Sequence, residues 1–207
     1  MGRILPKSAT LPNICLHRAA MQRHCHDIVT SPIPGPFRPQ PAPVHRHMLL
    51  RFVLPEDRDT ISEVLTEAFK GDAEARLVST LRNSGDMALE LVAIVDRKIV
   101  GYVGFARHYQ PRGWYSLSPV AVRPRYQRRG IGAELIRYGL DYARQARTPA
   151  VTVLGDLAYY RRFGFTHKAA ENLSTPYPSE HTGLYPIAPG TAGTKAELVY
   201  ADAFSRF

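Results

Sequence analysis

The decisive stretch is Ser118–Gly139, SPVAVRPRYQRRGIGAELIRYG. Val120, Ala121 and Val122 are strand-forming, and Pro124 ends a ladder because it has no N–H to donate. Gln127-Arg128-Arg129-Gly130-Ile131-Gly132 follows, and after it the apolar spacing turns helical: Ile131, Leu135, Ile136 and Leu140 share a face, with Glu134, Arg137 and Asp141 elsewhere. A strand, a glycine turn and a helix start therefore come in sequence. The first N–H groups of a helix have no carbonyl partner and lie at the positive end of its dipole, so they attract anions. Glycine at 130 and 132 lets a phosphate approach without a Cβ in the way, and Arg123, Arg125, Arg128 and Arg129 add positive charge. The stretch reads as a pyrophosphate cradle. It has neither the G-x-x-x-x-G-K-[ST] of a P-loop nor the third glycine of a dinucleotide fingerprint.

Working outward, the 207 residues suffice for one domain with a full core and an appendage. No apolar run reaches membrane-spanning length, so a soluble, cytoplasmic protein with no membrane partner is expected. The net charge of +9 is uneven: residues 1–47 carry six Lys/Arg against one Asp, and residues 48–207 carry 21 Lys/Arg against 17 Asp/Glu. The main domain is thus only mildly basic, with its excess near the glycine turn. That argues against a nucleic-acid partner, which needs a broad basic face. Both cysteines, Cys15 and Cys25, lie in 1–47, so the main domain has no disulfide. Cys15-x-His17 and His24-Cys25-His26 lack the spacing of a zinc module, and no metal is expected. Eight prolines in 1–47 mark a basic, disordered N-terminal extension ahead of a domain over 48–207. A transit peptide or an upstream start remain alternative readings of it.

The rest of the chain alternates strand and helix. Met48–Leu54 reads as a strand, Pro55-Glu56-Asp57 as a helix start, and Asp72 as the cap of a second helix. Leu89–Val95 and Ile99–Ala106 form a hairpin around Asp96-Arg97-Lys98. A strand over Trp114–Val122 precedes the glycine-turn helix, and Ala150–Leu154 is a fully apolar strand suited to the centre of a sheet. The order β-α-α-β-β-β-α-β gives an α/β fold with a mixed central sheet flanked by helices.

Gln127 to Gly132 matches [RQ]-x-x-G-x-[GA], and there the chain resembles the GNAT family of acyl-CoA-dependent N-acyltransferases. Tyr160-Arg161-Arg162-Phe163-Gly164-Phe165 matches a second family pattern, Y-x-x-x-G-F, about thirty residues on. The strings around Phe69–Val78, Val153–Phe165, Thr175–Pro178 and Val199–Phe204 are similar to the YhbS-like branch. The resemblance covers 48–207 and departs at Val153, where the family usually has an Asn that touches the cofactor.

The resemblance implies a GNAT-like fold and acetyl-CoA as co-substrate, with no metal. It implies that the fourth strand parts from the fifth near Val122, so that Val120, Ala121 and Val122 hold the pantetheine arm like an added strand. Gln127, Arg128, Arg129, Gly130, Ile131, Gly132 and Ala133 would hold the pyrophosphate. Tyr160, or Tyr159 beside it, would give its phenolic proton to the leaving thiolate; an ordinary phenol, with a pKa of about 10, is protonated at neutral pH. Read as plain residues, either tyrosine is equally a core aromatic. Glu74, Glu90 and His108 are the candidate bases, each also readable as structural, and Asp156 reads as a helix cap.

The expected activity is transfer of an acetyl group to an amine of a small molecule or protein, and a homodimer is compatible with the sequence. Two other classes stay open: an acyl-CoA-binding module without turnover, and a polyanion-binding protein using the arginines.

Overall fold

Alternating and continuous apolar runs make the strands, and 3.6-residue periodicity makes the helices that cover them. The computed structural model describes residues 48–206. The elements are β1 (Leu49–Phe52), α1 (Arg58–Phe69), α2 (Ala73–Asn83), β2 (Met87–Val95), β3 (Lys98–Gln110), β4 (Tyr115–Val122), α3 (Ile131–Gln145), β5 (Ala150–Leu154), α4 (Leu157–Tyr160), α5 (His167–Ala170), β6 (Leu173–Ser174), β7 (Thr182–Pro186), β8 (Ala196–Glu197) and β9 (Val199–Tyr200). The main sheet runs β1-β2-β3-β4-β5-β7, with β9 added to the far end of β3; β6 and β8 make a small separate pair. Within the main sheet only β4 and β5 run parallel. This is the expected mixed sheet.

The two faces of the sheet are covered differently. Val103, Phe105, Leu117, Val151 and Val153 point to one side and pack under Ile131, Leu135, Ile136 and Leu140 of α3. Each such side chain, fully buried, stabilises the fold by roughly 1.5–3 kcal/mol. Helix α3 sits unusually close: a Cβ on Gly139 would lie 2.4 Å from the Phe105 ring. On the other side Val92, Tyr102 and Ala121 pack against Ile61, Val64, Leu65 and Val78 of α1 and α2.

Three expectations are corrected. Strand β3 continues past Ala106 to Gln110, because Tyr200 and Val199 of β9 pair with His108 and Gln110, and the His108 N–H bonds the Trp114 carbonyl. The parting of β4 from β5 comes earlier than Val122: the last parallel pair is Leu117–Val153. Beyond it Pro119 has no N–H to offer, and the Gly155 N–H turns instead to the His181 carbonyl. Asp72 occupies the N-cap position of α2, but its carboxylate makes no cap bond and pairs with Arg76 at 3.4 Å. The extension over 1–47, with Cys15 and Cys25, lies outside the described residues.

Candidate active site

The gap between β4 and β5 is the centre of the candidate site. The Arg123 N–H bonds the Val100 carbonyl, and Val122, Ala121 and Val120 stand opposite Gly101, Tyr102 and Val103. In an antiparallel ladder successive residues direct their backbone groups to opposite edges. Ala121 therefore bonds toward β3, while Val120 and Val122 turn their backbone groups toward the gap. The gap is lined by half-buried valine side chains on the α3 face and ends at the glycine turn.

The turn itself is held by its own residues. Gln127 Nε2 donates to the Val122 carbonyl at 3.0 Å, tying the turn to the end of β4. Arg128 has a φ of 59° and Gly130 a φ of 83°, and Gly130 is the N-cap of α3. The Glu134 N–H makes the first intrahelical bond, to the Gly130 carbonyl. The N–H groups of Ile131, Gly132 and Ala133 precede that bond and form the anion-attracting end of the helix. The Ile131 side chain is buried in the core, so its contribution is its backbone. Arg129 stacks over the Tyr126 ring at 5.5 Å, and Arg128 is exposed.

Arg123 is not part of this cradle, although its position beside the turn led us to expect it there. Its guanidinium pairs with Glu63 at 3.0 Å and with Glu67, both on α1, and its Nε donates to the Ile99 carbonyl. A cleft of about 780 Å³ opens on that side, lined by Arg51, Arg97, Lys98, Arg123, Arg125 and Tyr126 among others. It lies away from the β4–β5 gap, and Arg51 there is taken up by Asp57 at 2.6 Å.

The two tyrosines occupy different surroundings. The Tyr159 hydroxyl lies 3.8 Å from the place a Gly132 side chain would begin, so it looks toward the start of α3; Arg162 stacks on its ring at 4.7 Å. Tyr160 is 3% exposed and packs edge-on against Tyr159 and Phe165. Asp156 caps α4 as expected, accepting from the Ala158 N–H at 2.9 Å. Val153 is buried in the core, pairing with Leu117 and Gly183. At that position only backbone contacts are available.

Of the three candidate bases, Glu90 is engaged elsewhere: it accepts from Arg82 Nε at 2.8 Å and from the Tyr102 hydroxyl at 2.7 Å. Glu74 is buried in the first turn of α2, on the face shared with Leu77 and Val78, and burial pushes its carboxyl above the usual range, with Asp72 adding to the effect. His108 is 4% exposed, and its Nε2 lies 2.7 Å from Thr152 Oγ1. Burial lowers its pKa to about 4, and a hydrogen bond to the Val199 backbone opposes that shift. Its imidazole is therefore neutral at pH 7. Sequence reasoning did not join His108 to Thr152, because the two are 44 positions apart. The described residues include no His/Cys/Asp/Glu group able to hold a metal ion, and no helix among them is long and apolar enough to cross a membrane.

Residues 58–165 match the Acetyltransferase (GNAT) family, and the chain belongs to it. The chain is 34% identical over 167 residues to the uncharacterized N-acetyltransferase YhbS of Escherichia coli K12, spanning 77% of this chain and all of that protein. The crystal structure of Escherichia coli YhbS in complex with CoA overlays with a TM-score of 0.72, covering 77% of this chain and 93% of that one. A GNAT family acetyltransferase from Brucella melitensis, in complex with acetyl-CoA, is 33% identical with a TM-score of 0.66, covering 77% and 99%.

Proposed function

We propose that this N-acetyltransferase moves an acetyl group from acetyl-CoA directly to an amine of a small molecule or protein. The observation that carries the reading is the β4–β5 gap, which runs from the Leu117–Val153 pair to the Gly130 turn. The complexes of similar proteins with CoA and acetyl-CoA support it. Backbone groups of Val120 and Val122 hold the pantetheine arm as an added strand, with Ala121 keeping β4 on β3. The helix-start N–H groups of Ile131, Gly132 and Ala133 bind the pyrophosphate, joined by Arg128 and Arg129 and by the backbone freedom of Gly130. Gln127 positions that turn through its side-chain bond.

In the transfer, the amine nitrogen forms the new C–N bond at the thioester carbonyl, the C–S bond breaks toward sulfur, and nitrogen sheds a proton. A backbone N–H in the gap meets the transient oxyanion; losing one such donor typically costs about 2.7–4 kcal/mol of barrier. Tyr160 gives its phenolic proton to the thiolate, and Tyr159 walls the channel beside Gly132.

Calorimetric titration of the full chain with acetyl-CoA, with dephospho-CoA and ATP as controls, tests the cofactor site. Binding of acetyl-CoA in preference to ATP is expected. Equal binding of all three nucleotides overturns the reading. Replacement Tyr160→Phe is expected to leave that affinity unchanged and to lower turnover; unchanged turnover would assign the proton to another group.

A further inference from the structure

The cleft of about 780 Å³ beside α1 has a size within the roughly 300–1,000 Å³ of small-molecule sites. Residues of β1, α1, the β2–β3 turn and the segment after β4 enclose it, and Ile94, Ile99 and Val100 supply apolar lining. Five of its lining residues are cationic, against the two carboxylates Asp57 and Glu67. These cations fall into two groups. Arg51 and Arg123 are committed within the fold: Arg51 grips both oxygens of Asp57, at 2.6 and 2.9 Å, and Arg123 pairs with Glu63 and Glu67 and donates to the Ile99 carbonyl. Arg97, Lys98 and Arg125 are exposed, and among the described residues they make no ion pair.

The three free cations come from two segments that the backbone holds together. Asp96 and Arg97 have φ of 48° and 61°, the left-handed pair of a tight hairpin turn, which sets Arg97 and Lys98 at the start of β3. The Arg123 N–H bonds the Val100 carbonyl at 2.8 Å, and the Tyr126 N–H bonds the Arg123 carbonyl at 2.8 Å, so Arg125 rides on a turn anchored to that same strand. Like charges gathered at one opening raise the local potential and draw an anion of matching charge. Guanidinium forks meet phosphate oxygens two at a time, and lysine adds a point charge. The apolar lining suits the uncharged body of such a ligand. A long nucleic acid does not fit the observation, since residues 48–207 carry 21 Lys/Arg against 17 Asp/Glu and the free charge is confined to one cleft.

We propose that this cleft is a second anion site, taking a small phosphorylated ligand with two or three negative charges, whose phosphate oxygens Arg97, Lys98 and Arg125 hold. Arg123 fixes the wall between them. The cleft is separate from the glycine turn: α1 covers one face of the sheet, and α3, which starts at that turn, covers the other. The assignment stands independently of the acetyl-transfer reading.

The test is calorimetric titration of inorganic pyrophosphate into the full chain saturated with acetyl-CoA, so that the glycine turn is already occupied, with citrate as a phosphate-free anion. Binding of one pyrophosphate per chain is expected, tighter than citrate by at least fivefold. Arg125→Ala, and separately Arg97→Asn with Lys98→Ala, are expected to weaken pyrophosphate at least tenfold with acetyl-CoA affinity unchanged; asparagine tolerates the positive φ at position 97. Lys195→Ala, which removes an exposed charge outside the cleft, is expected to change nothing. Absence of pyrophosphate binding by the loaded protein overturns the site, and so does binding that survives both cleft variants or falls equally in Lys195→Ala. Citrate binding as tight as pyrophosphate overturns the ligand class. Weaker acetyl-CoA binding in the cleft variants, with dephospho-CoA unaffected, would give the cleft to the 3′-phosphate of the cofactor and overturn a second ligand. Failure of the unaltered chain to bind acetyl-CoA would instead defeat the acetyl-transfer reading, and the same cleft variants would still decide the pyrophosphate site.

Discussion

Where β4 parts from β5, the same three strands, β3, β4 and β5, present different chemistry on their two faces. Toward α3 they offer Val103, Phe105, Leu117, Val151 and Val153, a close-packed apolar layer. Toward the C-terminal segment they offer His108, Ser116, Ser118 and Thr152, with His108 bonded to Thr152 and the Ser118 hydroxyl unpaired. Strand alternation makes such a contrast available to any sheet, since successive side chains point to opposite sides. The contrast teaches a division of labour: one face holds the helix that starts at the glycine turn, while the other holds a buried polar pair between His108 and Thr152.

The largest effect should come from the cradle that the apolar face supports. Gly130→Asp has open space for its side chain, so steric clash is not the issue; φ of 83° and a carboxylate at the phosphate turn are. We expect acetyl-CoA affinity to fall at least a hundredfold by calorimetry, and undiminished affinity would detach the turn from cofactor binding. Next, Leu117→Ala on the apolar face should cost about 3–5 kcal/mol in urea denaturation, the usual range for emptying a core leucine site. A loss under 1 kcal/mol would mean that α3 is not packed as described.

The pH dependence of stability probes the polar face. His108 is held near 4 in the fold against about 6.5 unfolded, so between those values the unfolded chain binds more protons. Its contribution to stability is full above pH 6.5 and is lost as pH falls toward 4, amounting to ~3 kcal/mol over that window. Tyr200 and Tyr177, the titratable groups beside it, are pushed upward by burial, Tyr200 to about 12, and do not titrate there. His108→Gln should therefore flatten the acid limb of a denaturation-midpoint profile. An unaltered slope would place the imidazole in a more solvated setting.

Smallest of all should be Ser118→Ala, which removes an unpaired hydroxyl rather than a contact. A change within about 0.5 kcal/mol is expected in the same urea assay. A loss comparable to Leu117→Ala would erase the distinction between the faces.

Much of this molecule was legible before its structure. The glycine turn, its helix and the Asp156 cap are local: each rests on residues within a few positions, and backbone sterics, apolar periodicity and capping act at that range. The order of strands and helices, and through it the mixed sheet, followed from the same local rules. Less legible were the pairings between distant segments. That β3 runs on to Gln110 depends on β9, ninety-odd residues later. That Arg123 neutralises α1 rather than joining the cradle depends on Glu63 and Glu67. That Tyr159 rather than Tyr160 looks toward Gly132 depends on how α4 sits over α3.

The sequence by itself determined a GNAT domain with a glycine turn and helix start at Gln127–Ala133, because that motif is a continuous run whose conformation is set by its own residues. Only the tertiary structure decided where β4 leaves β5, which of Val120, Ala121 and Val122 face the gap, and that His108 meets Thr152. Hydrogen-bond direction along a ladder and contact between strands are properties of pairing, and pairing is fixed by the burial of both faces at once.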